Sequence, residues 1–172
     1  MHVMIDLETM GTRPNAPIIA IGAVMFDGTK AHDEFYVNVD LASAVDDSHA
    51  VVDPKTVLWW MDQSGEARSS LREDKKEILT ALYEFREWLK PVKPEGVWGN
   101  GASFDNVILS ETYKRMGLEP PWPFWTDRCY RTMKNMYPQV EMERVGTHHN
   151  ALDDAKSQAN HLIKIWREGM GR

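Results

Sequence analysis

Asp6 and Glu8 stand one residue apart at the end of the chain's first apolar run, Val3-Met4-Ile5. Alternate residues of a strand point to the same face. The two carboxylates would therefore project side by side from a strand whose other positions are apolar. Neighbouring carboxylates repel unless a cation or a shared proton relieves them. A hard divalent ion with oxygen ligands is the usual relief. An isolated Asp-x-Glu is more often plain surface at a strand end, so the rest of the chain has to decide.

The residues that follow predict an α/β fold. His2 to Thr9, Ile18 to Phe26 and Glu34 to Val39 read as strands, joined by short links with turn signals at Gly11 to Asn15 and at Asp27-Gly28, an antiparallel meander. Asp53 as N-cap and Pro54 at the first helical position start a short helix through Trp59-Trp60-Met61. Lys75 to Leu89 carries an apolar stripe at Ile78, Leu82, Phe85 and Leu89 and ends before Pro91. Gly96 to Asn100 reads as a short buried strand, and Ser103 to Met116 and Asp127 to Met136 as helices. Leu152, Ala155, Ala159, Leu162 and Trp166 mark one face of a C-terminal helix. Three strands followed by alternating helices and strands predict a mixed sheet flanked by helices. With 172 residues and no repeat or Gly/Ser linker, one domain over 1–172 is expected.

Composition narrows the function. No apolar run reaches the roughly 20 residues of a membrane span, and no basic stretch leads an apolar one at the N-terminus. A single cysteine, Cys129, excludes an intramolecular disulfide and a multi-cysteine zinc site. A reducing, cytoplasmic setting is expected. The net charge of -6 argues against gripping nucleic acid by a broad basic face. Any polyanion is expected to bind locally, at metal ions.

Two further segments join Asp6 and Glu8. Asn100-Gly101-Ala102-Ser103-Phe104-Asp105 links the buried strand to the next helix, and His149-Asn150-Ala151-Leu152-Asp153-Asp154-Ala155 opens the last one. Ligands of α/β sheets gather at strand ends, where both Asp6 and Asp105 would lie. Helix periodicity alone leaves His148 and His149, and Asp153 and Asp154, as alternatives.

The ordered set, D-x-E, then N-x-x-x-F-D, then H-x-A-x-x-D-A, resembles the DEDDh group of 3'-5' exonucleases, with their ribonuclease-H-like fold, across nearly the whole chain. Met10 stands where many members carry Thr or Ser. The segments Asp53-Pro54-x-Thr56-x-x-Trp59-Trp60 and Trp125-x-Asp127-x-x-x-Arg131-Thr132 resemble a small exoribonuclease-like family of phages, prophages and some bacteria. The resemblance selects His149 and Asp154 within the third motif and leaves His148 and Asp153 as solvated neighbours. It implies two divalent ions, Mg²⁺ or Mn²⁺, on Asp6, Glu8, Asp105 and Asp154, with Asp6 bridging and Asp105 acting through water. His149 is then the general base. The implied substrate is a single-stranded RNA or DNA 3' end, and a homodimer is the implied assembly. Thr9 and Met10 are implied to meet the terminal nucleotide.

Other residues carry two readings each. Trp59 and Trp60 either stack on bases or form core and lid. Asn100 either contacts the nucleotide or stabilises a turn. For Asp127 a helix N-cap is the commoner role. Arg128, Arg131 and Lys134 form a basic helical stripe that either guides phosphates or is a solvated face. A ribonuclease-H-like endonuclease and a catalytically silent binding module on the same fold are the alternatives. The His-x4-Asp ending speaks against the first. The complete acidic set speaks against the second.

Overall fold

A computed structural model of the chain describes residues 1–46 and 50–171. Strands β1 (His2–Thr9), β2 (Ile18–Phe26) and β3 (Ala31–Val39) form the expected antiparallel meander. Short helices α1 (Leu41–Asp46), α2 (Pro54–Met61) and α3 (Gly65–Ser70) follow. Then come the two-residue strand β4 (Lys75–Lys76), α4 (Ile78–Leu89), β5 (Gly96–Gly99) and α5 (Asp105–Arg115). A 3₁₀ turn at Phe124–Thr126 leads into β6 (Asp127–Cys129), α6 (Tyr130–Met136) and α7 (Ala151–Lys164), which runs on into a π turn at Ile165–Gly169. The six strands order as β4-β3-β2-β1-β5-β6, with parallel pairing at β1–β5, β5–β6 and β3–β4.

Side-chain alternation along β1 sorts the core into two layers. Val3, Ile5 and Leu7 pack with Leu82 and Phe85 of α4 and Ile108 and Leu109 of α5. Met4 faces the other way, with Val24 and Phe26, against Ala155, Ala159 and Leu162 of α7. Both sheet faces are covered, which is why all nine residues of β2 are buried. The next two members of the Met4 row are Asp6 and Glu8, so the acidic pair belongs to the face that α7 covers.

Two glycines permit this closeness. A Cβ on Gly22, the cross-strand partner of Asp6, would lie 2.2 Å from the carbonyl carbon of Ala151. The start of α7 thus rests directly on the β2 backbone, a close approach that only Gly allows in a strand. At Gly99, a Cβ would fall 2.4 Å from Asn106 Oδ1 and 2.9 Å from Asp105 Cβ, so α5 begins flush against the end of β5.

Four expectations need correction. The helix expected from Lys75 begins only at Ile78, because Lys75 and Lys76 pair with Asn38 and Val39 and cap the sheet edge. The helix expected from Asp127 begins at Tyr130, because Asp127 to Cys129 is extended along β5. Asp127 is therefore no helix N-cap. Its Oδ1 accepts from Asn106 Nδ2 at 2.8 Å and Trp122 Nε1 at 2.9 Å, tying the edge strand to α5. The basic stripe also divides, since Arg128 lies on that strand and bonds the carbonyls of Trp125 and Asp127.

Candidate active site

Pairing of β1 with β5 stops at Ile5 and Gly99. Beyond that point the two strands part, and a cleft of about 370 Å³ opens at their ends. This is where α/β sheets bind ligands. The backbone N–H of Leu7, no longer paired toward β5, donates to Asp105 Oδ1 at 3.1 Å. Asp6 and Glu8 enter the cleft from β1, Asp105 from the start of α5, and Asp154 from the first turn of α7. Carboxylate oxygens of Asp6, Glu8 and Asp154 lie within 4.8 Å of one another. Asp105 lines the same cleft without joining that tight group.

Such crowding is costly for ionised groups. Burial, then the charges of Asp105, Glu8 and Asp154, holds the Asp6 carboxyl well above the usual range. Burial, then Asp154 and Asp105, pushes Glu8 up to about 8. Burial raises Asp105 to about 7 against the backbone N–H groups of Leu7, Asn100 and Asp105 itself and the charge of Arg131. Glu8 Oε1 is buried with no hydrogen-bond partner. Unpaired buried oxygens are rare and call for an explanation. An all-oxygen site of three close carboxylates, one oxygen unspent, fits a hard divalent cation.

His149 stands just before α7 with φ +63°, a left-handed conformation uncommon for residues other than glycine. Its backbone N–H donates to Asp154 Oδ2 at 3.0 Å, which couples the turn to the carboxylate. Asn150 caps the helix by accepting from the N–H groups of Leu152 and Asp153. The half-buried His149 ring meets Trp59 edge-on at 4.8 Å and Trp60 at 6.2 Å. Burial, followed by His148, lowers its pKa below 6.5 despite the opposing charge of Asp154.

The two tryptophans differ. Trp60 is buried and donates Nε1 to the Thr9 carbonyl at 3.0 Å. Trp59 is 44% exposed and turns toward the cleft. Thr9 also lines the cleft, its Oγ1 spent on the Gly11 carbonyl at 2.6 Å. Asn100 lines it too, with its carbonyl accepting from Arg131 at 2.6 Å. Met10 does not join them. Its side chain packs on Ile19, Trp60 and Ala67, its N–H bonds Pro17, and its carbonyl bonds Asp53. Asp153 is no solvated neighbour: its Oδ2 accepts from the Thr147 N–H at 2.8 Å and holds the preceding loop. His148 is exposed and stacks on His149.

Gln158 and Arg144 reach the cleft without any motif signal. Gln158, one turn beyond Asp154, donates to Asp6 Oδ1 at 2.7 Å. Arg144, in the loop before α7, donates to Asp154 Oδ1 at 2.5 Å. Arg131 and Lys134 of α6 complete a cationic wall. The basic spacing already singles out Arg131 and Lys134. Of Gln158 and Arg144, Gln158 has a detectable mark, since a polar residue inside the apolar stripe of a buried helix calls for a partner.

A mixed sheet of ribonuclease-H type, with carboxylates from β1, α5 and α7 converging at one strand-end cleft, is the arrangement of the DEDDh 3'-5' exonucleases. The chain belongs to the Rv2179c-like family, described as a 3'-5' exoribonuclease domain, whose model matches residues 1–166. It is 27% identical over 158 residues to an exodeoxyribonuclease of Enterobacteria phage T4, covering 75% of this chain and 68% of that protein. Its fold is shared with the nuclease domain of 3'hExo, a DEDDh family member solved bound to rAMP. The TM-score is 0.65 at 15% identity, covering 97% of this chain and 92% of that one. Exonuclease X, solved with 5' overhanging duplex DNA, matches at TM-score 0.61 and 19% identity, covering 98% and 93%. The protein is a 3'-5' exonuclease. Among the described residues, no helix is long and apolar enough to cross a membrane.

Proposed function

We propose that this exonuclease shortens single-stranded RNA or DNA from the 3' end, releasing nucleoside 5'-monophosphates, with two divalent ions, Mg²⁺ or Mn²⁺, on Asp6, Glu8, Asp105 and Asp154. The observation that carries the reading is the group of Asp6, Glu8 and Asp154 with its unpartnered Glu8 oxygen. The ions, when bound, supply charge neutralisation at the reacting phosphate and activation of the attacking water.

The chain's own groups do the rest. His149, kept neutral near pH 7 by its lowered pKa, takes the proton from the attacking water. Its left-handed turn and its bond to Asp154 keep the ring at the rim of the carboxylate group. Gln158 orients Asp6. Arg131, Lys134 and Arg144 attract the phosphates of the strand. Trp59 offers an exposed face against which a terminal base stacks. The cleft volume lies at the low end of the roughly 300–1,000 Å³ of ligand pockets, room for one terminal nucleotide.

The test is a 5'-labelled strand, made as RNA and as DNA, incubated with Mg²⁺ or Mn²⁺ beside a circular strand of the same sequence. A ladder shrinking from the 3' end, with the circle intact, is expected. A cut circle moves the enzyme to the endonucleases.

A further inference from the structure

We propose that His148, His149 and Asp154 form a second metal site, selective for Zn²⁺ over Mg²⁺, which silences the exonuclease when filled. One ligand atom from each of the three residues lies within 4.8 Å of the others. The two imidazoles stack at 3.7 Å between centroids with 22° between planes, and both line the cleft. A tetrahedron with Zn–N bonds of about 2.0–2.1 Å has edges of about 3.3 Å. Stacked rings send their lone pairs in nearly parallel planes, so binding requires the exposed His148 ring to swing out of the stack about its side-chain torsions and turn its nitrogen toward the ion.

Ligand chemistry separates this site from the carboxylate group beside it. Asp6, Glu8 and Asp154 offer only oxygen, the set for Mg²⁺ or Mn²⁺. His148, His149 and Asp154 offer two nitrogens and one oxygen, the set for a borderline-soft ion. Three protein ligands leave a fourth position to water. Asp154 belongs to both groups, so an ion on the histidines competes for it. The same ion takes the ring nitrogen that His149 needs as a base. Arg144 already neutralises Asp154 from one side through Oδ1, and the carboxylate keeps lone pairs for a metal on the other.

Silencing rests on the catalytic reading of His149 and Asp154; zinc binding does not. Calorimetry of Zn²⁺ into the protein in millimolar Mg²⁺ therefore reads the site without turnover. One Zn²⁺ per chain is expected. His148→Ala and His148→Gln should each weaken it at least tenfold, since losing a mere hydrogen-bond partner of a metal ligand already costs about 10–100-fold. Asp6→Asn should leave it unchanged. In the cleavage assay, Zn²⁺ should stop the wild type, while both His148 variants keep Mg²⁺-supported turnover and escape. Absence of zinc binding overturns the proposal. So does zinc binding lost in Asp6→Asn but kept in the His148 variants, which assigns the ion to the carboxylates. A wild type that binds zinc through His148 yet never cleaves a strand with Mg²⁺ contradicts the proposed function and leaves the site standing.

Discussion

Gly22 of β2 faces Ala151 of α7 so closely that a Cβ on it would stand 2.2 Å from the Ala151 carbonyl carbon. Gly22 also pairs with Asp6 across the sheet. One backbone contact thus sets how near Asp154 and His149 come to the β1 carboxylates. Gly22→Ala must push α7 off the sheet, because the atoms it meets are backbone and cannot rotate away. Overpacking of this kind costs about 1–3 kcal/mol or more. Melting temperature and turnover, the latter measured where the variant is fully folded, should both fall. Wild-type turnover in a folded Gly22→Ala would show that the approach of α7 is not critical to the site.

The doubled aspartates separate in the same way. Asp154→Asn removes a charge from the carboxylate group and weakens its hold on Arg144. Turnover should drop on the order of 10²-fold or more. Asp153→Asn still offers an oxygen to the Thr147 N–H. It should keep turnover and lose at most a modest amount of stability, about 1 kcal/mol. Single-turnover rates and thermal melts of the pair check both statements, and the reverse pattern puts the third motif one residue out of register.

Protons and metal should each relieve the carboxylate crowding, so a rise in pH and the addition of metal should act on stability in opposite directions. Glu8 and Asp105 titrate at about 8 and about 7 in the fold, against ordinary values of 4.5 and 3.8, and Asp6 is raised as well. The metal-free fold therefore binds protons that the unfolded chain has released. Their stabilisation is fully present below about pH 4 and is lost as pH rises through about 7 to 8. In chelator, the melting temperature should fall between pH 5.5 and 8.5, and Glu8→Gln should flatten the fall. Mn²⁺ at pH 8 should reverse it. An ion at 100 times its Kd adds about 2.7 kcal/mol, roughly 5–10 °C for a chain of this size. A flat chelator profile would contradict the carboxylate crowding.

His149→Ala should lose about 10²–10⁴ in rate, the span of a missing general base, while retaining Mn²⁺ binding. Only the neutral imidazole accepts a proton, and burial lowers its pKa. Wild-type activity should therefore be full at pH 7 and fall on an acidic limb lying below the ordinary 6.5. That limb should be missing in His149→Ala. Near-normal turnover in the variant removes His149 from the base role.

Strands β1 and β2 were legible to the residue because apolar runs end at clear turn signals, and α2 because Asp53-Pro54 is a strong helix start. The six-residue helices α1 and α3 were not, since one and a half turns carry no periodic stripe. Strand β6 was missed because its extended state comes from the free edge of β5 and not from its own residues. In the site, Asp6, Glu8 and Asp154 were legible through motif spacing. Arg144 was not, because it reaches Asp154 from a loop without a repeating pattern. Gly22 left a trace, an isolated glycine inside a strand, whose meaning depends on a helix about 130 residues away.

The central claim is that Asp6, Glu8, Asp105 and Asp154 together hold two divalent ions. Calorimetric titration of Mn²⁺ at pH 8 into the wild type and into Asp6→Asn tests it most directly. The account predicts two Mn²⁺ per wild-type chain and the loss of at least one in Asp6→Asn, with the fold intact by circular dichroism. A wild type that takes up no Mn²⁺, or an Asp6→Asn variant that binds the same number with the same affinity, would contradict it.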